Sequence, residues 1–428
     1  MKFLTVTQGC KVNHCDSEVI SQYMVSKGYE LAGDGEAPDI IIVNSCTVTE
    51  NSDKKGARII SKLRRDYPRA VIVLTGCFPQ AFPEEAEKNG NADIVVGNAA
   101  KESIPDLVDE FLRSGKAECV CRSHSKVFVE PDEFSHTENT RAYIKIEDGC
   151  NRFCSYCIIP KARGRVRSKG LDRIAAEAKF HAEDGHREIV LTGINLSCYG
   201  TDIGLSLYDA VRTAADVPLI ERVRLSSLEP ELLTGEVIER LAGVEKLCPH
   251  FHLSLQSGCS STLKRMNRHY SAEEYREIVE RLRQAFPDCG ITTDVMVGFA
   301  GETEEEFRQS CEFVRSVGFA KVHVFTYSVR AGTAAAKMEN QVAANVKEQR
   351  YKKMSEIAES ARKEFWGRNV GTVHRVLIER QTSPDFINGY TDNYIPVRIF
   401  GGKGKRHDVV AVEITGVEKE FCVGRETT

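Results

Sequence analysis

Continuous apolar runs alternate with amphipathic stretches along the first 125 residues. Residues 2–8, 39–44, 70–75 and 93–96 form short β-branched runs, and residues 17–27, 51–67, 83–89 and 104–114 carry helical spacing. Strands that are apolar on both faces and separated by helices predict an open parallel α/β sheet covered on both sides. Residues 126–140 are polar, carry a proline and predict a linker. From 141 the strand–helix pattern recurs six times, with strands at 142–147, 188–192, 222–226, 250–255, 292–297 and 321–326. Helices fall between them, for example at 171–184, 272–286 and 304–317, and a charged helical stretch at 340–368 closes this part. Six such units predict a partial (β/α)6 barrel over 141–368, too short for the usual eight. From 369 to 428 the period changes to short alternating strands with Gly and Asn turns, at 372–379, 388–392, 395–399, 409–417 and 421–423. That pattern predicts a small OB-like β-barrel.

Hydrophobic residues make up 41% and charged residues 28% of the 428, which excludes a disordered or fibrous chain. The 58 Lys and Arg against 62 Asp and Glu give a net charge of -4, so a nucleic-acid partner has to be held by local patches. No apolar run approaches the ~18 residues of a membrane span. The first residues read as a strand rather than a secretory signal, which predicts a cytoplasmic chain with no membrane partner.

The cysteine count changes the picture. Fifteen is odd and large for a chain with no export signal, so a disulfide framework is not expected. Cys150, Cys154 and Cys157 lie within eight residues directly after the first barrel strand. Three thiolates on a loop at the C-terminal end of a strand can wrap one face of an iron–sulfur cube and leave one iron open to a small chelating ligand. Zinc is the competing metal, although a structural zinc wants four closed ligands. Buried core thiols are the competing plain reading. Cys10, Cys46 and Cys77 each follow one of the first domain's strands. Ligands of open parallel sheets gather outside the carboxyl ends of the strands, so these three can converge on a second three-thiolate site, or be buried thiols.

The CxxxCxxC spacing resembles the radical S-adenosylmethionine (SAM) superfamily. The resemblance implies a [4Fe–4S] cluster on Cys150, Cys154 and Cys157, with SAM on the free iron and its cleavage to a 5′-deoxyadenosyl radical. Together with the three strand-end cysteines and a C-terminal barrel of the type called TRAM, nearly the whole chain resembles the methylthiotransferase family. That implies a second [4Fe–4S] cluster on Cys10, Cys46 and Cys77 that holds or delivers sulfur, and a second SAM as methyl donor. By the same resemblance the Gly193 and Asn195 region meets the methionine end of SAM. Ser227, Glu229 and Gln256 line its ribose or the substrate path, and Gly298 lets the backbone approach the adenine. GCKVN at 9–13 and ARGRVRS at 162–168 resemble the branch that acts on N6-threonylcarbamoyladenosine 37 in the tRNA anticodon loop. The other branches act on isopentenyladenosine 37 of tRNA and on an aspartate of a ribosomal protein. An iron–sulfur RNA-binding regulator is the non-enzymatic alternative. The implied partners are tRNA, an electron donor such as a flavodoxin or ferredoxin, and a sulfur donor. The chain departs from the family at GFAGET (298–303) and SVRAGT (328–333), where prolines and their fixed φ are frequent.

Lys161, Arg163, Arg165, Arg167 and Lys169 alternate after the cysteine loop. On an extended segment they share one side, where they can hold the SAM carboxylate or a tRNA backbone, or form a solvated face. The basic loop at 401–407 can follow phosphates as a flexible tip, or be a solvated hairpin. Phe386, Tyr390 and Tyr394 are candidates for base stacking or for the barrel core. Cys15, Cys119, Cys121, Cys198, Cys248, Cys259, Cys289, Cys311 and Cys422 are read as packing or surface thiols. The eleven histidines form no HExxH pattern.

Overall fold

The computed structural model describes every residue except Asn89, Arg380, Thr382 and Thr428. The predicted helical stretch 83–89 and the predicted C-terminal domain 369–428 each end on a residue outside the described ones. The chain forms two compact units. One holds residues 1–135, 147–168 and 328–336, and the other holds 136–146, 169–327 and 337–428.

In the first unit, alternate residues of the strand Ile40–Ser45 face opposite ways. Ile40 and Ile42 pack with Phe3, Met24 and Val108, whereas Ile41 and Val43 pack with Ile60, Ile72 and Leu74. This two-sided burial is why the strands read as unbroken apolar runs. The sheet is parallel throughout, in the order Glu30–Leu31, Lys2–Thr7, Ile40–Ser45, Val71–Gly76, Ile94–Val96, Glu118–Val120. The order reverses between Lys2–Thr7 and Ile40–Ser45, which is where open α/β sheets bind ligands. The pattern missed both edge strands because each is only two or three residues long and little buried. The predicted helix at 17–27 is Lys11–Ser26, so it starts immediately after Cys10. A short helix, Cys77–Ala81, was also not predicted. Residues 121–141 contain no helix or strand.

The second unit holds six parallel strands: Ala142–Lys145, Glu188–Thr192, Arg222–Leu225 continued by Ser227–Leu228, His250–Leu253, Gly290–Val297 and Lys321–Thr326. Among the described residues no ladder joins the last strand to the first, so the barrel is open. The helix Ala344–Arg368 follows, and its Phe365 and Trp366 enter the core of a closed five-stranded barrel with Val376, Ile399 and Ile414. That barrel runs Val373–Ile378, Phe386–Thr391, Pro396–Phe400, Cys422–Glu426, Val409–Val417. No helix among the described residues is long and apolar enough to cross a membrane.

The small barrel docks at the N-terminal ends of the six strands through a buried charge cluster. Glu188 is fully buried, accepts from Arg141 at 2.8 Å and Arg224 at 2.7 Å, and forms an ion pair with Arg222 at 2.7 Å. Arg222 also donates to the carbonyls of Arg375 and Thr391, and Arg224 to that of Asp392. Tyr390 and Tyr394 lie here with Arg141 and Arg224 over their rings, so they are docking residues rather than free platforms for bases. Phe386 is clamped by Arg398 at 4.0 Å. The basic loop is docked as well: Arg406 donates to the Glu138 carbonyl, and the His407 ring meets His186. Only Lys403 and Lys405 of its cations are exposed, so the loop is not the free flexible tip that was expected.

Burial works to raise the Glu188 carboxyl, yet the three guanidiniums hold it well below the usual carboxylate range. Its contribution is therefore complete above the unfolded value of about 4.3 and fades as pH falls below it. Glu188→Gln is expected to lower the stability of this unit by about 3 kcal/mol at pH 7, because three buried cations lose their anion. The loss should shrink toward pH 3, read from the calorimetric transition; an unchanged transition at pH 7 would contradict the assignment.

Candidate functional site

Three thiols stand at the carboxyl ends of three neighbouring strands of the first unit. Cys10 follows Lys2–Thr7 and occupies the N-cap of helix Lys11–Ser26, Cys46 follows Ile40–Ser45, and Cys77 follows Val71–Gly76. Gly9, at φ +120, lies so near Cys46 that a Cβ there would sit 2.8 Å from the Cys46 Cβ. Gly76, at φ +100, has no room for a side chain beside Asn44 and Ser45. Both glycines are needed for the strand ends to close on one another. Asn13 ties the ends together: its amide donates to the carbonyls of Gln8 at 2.8 Å and Ser45 at 3.0 Å. Cys10 is exposed, whereas Cys46 and Cys77 are buried. Burial pushes the Cys77 thiol up to about 12, against the pull of Arg163. Cys46 is also raised by burial, with its neighbour Cys10 adding to the rise.

The second trio, Cys150, Cys154 and Cys157, is half-buried on a loop of the same unit. A two-residue antiparallel pairing of Glu147–Asp148 with Arg167–Ser168 closes the loop. Gly149, at φ +97, runs so close to the Arg165 carbonyl that a Cβ would be 2.1 Å from its oxygen. Phe153, at the tip, is exposed in the left-handed region under the Arg165 guanidinium. None of the fifteen cysteines is in a disulfide.

Arg163 joins the two trios. It is fully buried at the end of the short helix Ile159–Arg163. Its Nε donates to Cys77 Sγ at 3.3 Å and its Nη1 to Asp16 at 2.7 Å and Asp148 at 3.2 Å, while Nη2 donates to Asn13. Ile158 and Ala162 pack with Cys77, Ala81 and Phe82 on the same side. The alternating cations therefore do not share one face. The segment starts as a helix, Arg163, Arg167 and Lys169 are buried, and Arg167 and Lys169 are paired with Asp148 and Glu177. Sequence reasoning missed Asn13, Asp16 and Asp148. The available signal was their position: Asn13 and Asp16 lie three apart on the helix that begins at Cys10. Arg330, of the departed SVRAGT loop, is buried against Asp53 and Thr47 at 2.6 Å each, next to Cys46.

Beside this region is a cleft of about 600 Å³ whose lining includes Arg122, Lys126, Lys161, Arg165, Arg167 and His124, and no carboxylate among the described residues. Burial lowers His124 to about 4, and its Nε2 has no hydrogen-bond partner among the described residues.

The remaining site residues belong to the second unit and stand at the carboxyl ends of its strands. Gly193 and Asn195 follow Glu188–Thr192, Ser227 and Glu229 follow Arg222–Leu225, and Gln256 follows His250–Leu253. Glu229 is held by Arg268. Gln256, at φ +67, is held in the left-handed region by backbone bonds to Asp294 and Met296. Its Oε1 and the Ser226 hydroxyl are buried without partners among the described residues. Orphaned polar atoms at these strand ends fit a polar ligand such as SAM, and two sets of three thiols fit iron–sulfur clusters. Gly298, at φ +72, follows Gly290–Val297 and is closely approached by the Lys347 side chain. Glu302 accepts from the Gly298 N–H at 2.7 Å and from Arg350 at 2.8 Å, which fixes the GFAGET loop without proline.

Three family models match the chain: the Radical SAM superfamily over residues 144–314, the uncharacterized protein family UPF0004 over 2–97 and the TRAM domain over 367–425. The threonylcarbamoyladenosine tRNA methylthiotransferase MtaB of Thermotoga maritima is 39% identical, over 94% of this chain and 92% of its own length. The protein of the same name from Aquifex aeolicus is 35% identical over 94% and 98%. The tRNA-2-methylthio-N(6)-dimethylallyladenosine synthase of Clostridium tetani is 35% identical over 96% and 93%. Among solved structures, the radical S-adenosylmethionine methyltransferase TsrM of Kitasatospora setae, with cobalamin and a [4Fe-4S] cluster bound, shares the fold. Its TM-score is 0.57 at 15% identity, covering 76% of this chain and 74% of that one.

The exposures predict the reactivity of the iron-free chain. Cys10 should alkylate with iodoacetamide at pH 8 at least about tenfold faster than Cys77, whose thiol is buried and almost wholly protonated. Peptide mass mapping over a time course reads both rates, and equal rates would refute the described packing.

Proposed function

The chain belongs to the radical SAM methylthiotransferase family, and we propose that it methylthiolates C2 of N6-threonylcarbamoyladenosine at position 37 of tRNA, in the cytoplasm. It is a transferase that uses SAM and two [4Fe–4S] clusters. We assign Cys150, Cys154 and Cys157 to one cluster and Cys10, Cys46 and Cys77 to the other. When bound, these groups supply one-electron chemistry able to break an unactivated C–H bond, and the sulfur and methyl group to be transferred.

The chain's own residues position and shield. Gly149 and the Glu147–Asp148 pairing shape the first thiol loop, and Asn13, Gly9 and Gly76 draw the second trio together. Gly193, Asn195, Ser227, Glu229, Gln256 and Gly298 are proposed to hold SAM, and the buried Gln256 Oε1 and Ser226 hydroxyl await its polar groups. The acid-free cleft of Lys126, Lys161 and Arg165 is proposed to take tRNA phosphates. An electron donor such as a flavodoxin or ferredoxin and a separate sulfur donor complete the proposed set of partners.

The branch reading is supported by two motifs whose residues Asn13 and Arg163 are in contact. These residues come from GCKVN and ARGRVRS, the two motifs that resemble the threonylcarbamoyl branch, and they meet at the thiol site. Two relatives that bear that branch's name are 35% and 39% identical to the chain, and one that bears the dimethylallyladenosine name is 35% identical.

The test is mass spectrometry of tRNA nucleosides from a deletion strain. Methylthio-threonylcarbamoyladenosine should vanish, return with the wild-type gene and stay absent with Cys10→Ala or Cys150→Ala. Loss of methylthio-isopentenyladenosine instead would move the chain to the other tRNA branch. Unchanged nucleosides with a lighter ribosomal protein would move it to the protein branch. Reduced holoprotein that forms no 5′-deoxyadenosine would favour the non-enzymatic regulator.

A further inference from the structure

Within the second unit, the end of helix Leu171–Glu183 and the start of strand Glu188–Thr192 gather histidines that take no part in the reaction described above. His181 lies in the helix's last turn, Asp184 is its C-cap, and Gly185 at φ +98 turns the chain so that His186 folds back. One ligand atom from each of His181, Asp184 and His186 lies within 4.8 Å of the others. His181 and His186 are buried, whereas Asp184 is exposed and leaves the group reachable from solvent.

Three features set this cluster apart from a chance grouping. His181 is 5% exposed, and its Nδ1 has no hydrogen-bond partner among the described residues. A buried imidazole nitrogen left in this way calls for an occupant. His186 Nε2 faces the Asn139 carbonyl at 3.0 Å, the contact by which metal-ligating histidines fix their tautomer. With Nε2 as the donor, Nδ1 carries the lone pair, 3.8 Å from Asp184 Oδ2 and 3.2 Å from the His181 carbonyl oxygen. A lone pair turned toward two oxygens is unfavourable until a cation comes between them. Finally, His136 Nδ1 lies 2.8 Å from Asp184 Oδ1, so an exposed fourth imidazole is already at the carboxylate.

We propose that His181, Asp184 and His186 form a binding site for a divalent transition metal ion of the zinc class, with His136 or water as fourth ligand. Two imidazoles and one carboxylate suit such an ion better than calcium or magnesium, which prefer all-oxygen shells. Closing the ligands to bonding distance needs shifts of about 1 Å, since nitrogen–zinc bonds are about 2.0–2.1 Å long. The site would pin the helix end to the strand that begins with Glu188. It would also order the C-terminal barrel's loop, because the His407 ring stands edge-on to His186 with centroids 5.0 Å apart.

The test uses the anaerobically reconstituted holoprotein, so that the cluster thiols are occupied. It is dialysed against micromolar zinc chloride and then metal-free buffer, and zinc and iron are counted by mass spectrometry. The wild type should retain about one zinc per chain, and Asp184→Asn and His186→Ala should retain none, with iron unchanged in all three. Cobalt in place of zinc should add ligand-field bands, and no further thiolate charge transfer, to the difference spectrum against the cobalt-free holoprotein. Should His186→Ala fail to fold, Asp184→Asn decides, because it keeps the size of a partly exposed side chain, 26% open to solvent. A wild type without zinc, or variants that keep as much zinc as the wild type, would overturn the site.

Discussion

A single buried guanidinium holds the candidate site together. Arg163 meets Asp16, Asp148, Asn13 and Cys77 with no exposure to solvent. A cation taken out of water at this depth is tolerable only where its hydrogen bonds and opposite charges are complete. The geometry is therefore close to all-or-none. Asp16 and Asn13 belong to the helix after Cys10, Asp148 lies two residues before Cys150, and Cys77 ends the third of the cysteine-bearing strands. Satisfying Arg163 fixes the loop of one trio against the strand ends of the other.

The same physical device recurs in the second unit. Glu188 gathers Arg141, Arg222 and Arg224, and two of those arginines reach on to the backbone of the small barrel. In both places the buried charges are tolerated because opposite charges and hydrogen-bond partners surround them. The device leaves the carboxyl ends of the barrel strands clear, because the small barrel sits at their opposite ends.

The parallel sheet, the six barrel strands and the final β-barrel were legible because each strand is either apolar on both faces or alternates cleanly. The strands Glu30–Leu31 and Glu118–Val120 were not, since two or three little-buried edge residues carry no period. The thiol spacing 150–154–157 could be read directly along the chain. The meeting of Cys10, Cys46 and Cys77 followed from sheet topology. The role of Arg163 was hidden, because a cation in a run of five cations reads as solvated until its two aspartates arrive from distant segments. The same holds for Tyr390 and Tyr394, whose arginine partners belong to the barrel.

Arg163 ties the two proposed cluster sites together within one compact unit. The most direct measurement is the low-temperature electron paramagnetic resonance spectrum of the doubly reduced holoprotein, compared with Cys10→Ala and Cys150→Ala proteins that each retain one cluster. The wild-type spectrum should be broadened and split by magnetic coupling between the two clusters. A wild-type spectrum equal to the sum of the two single-cluster spectra would contradict it.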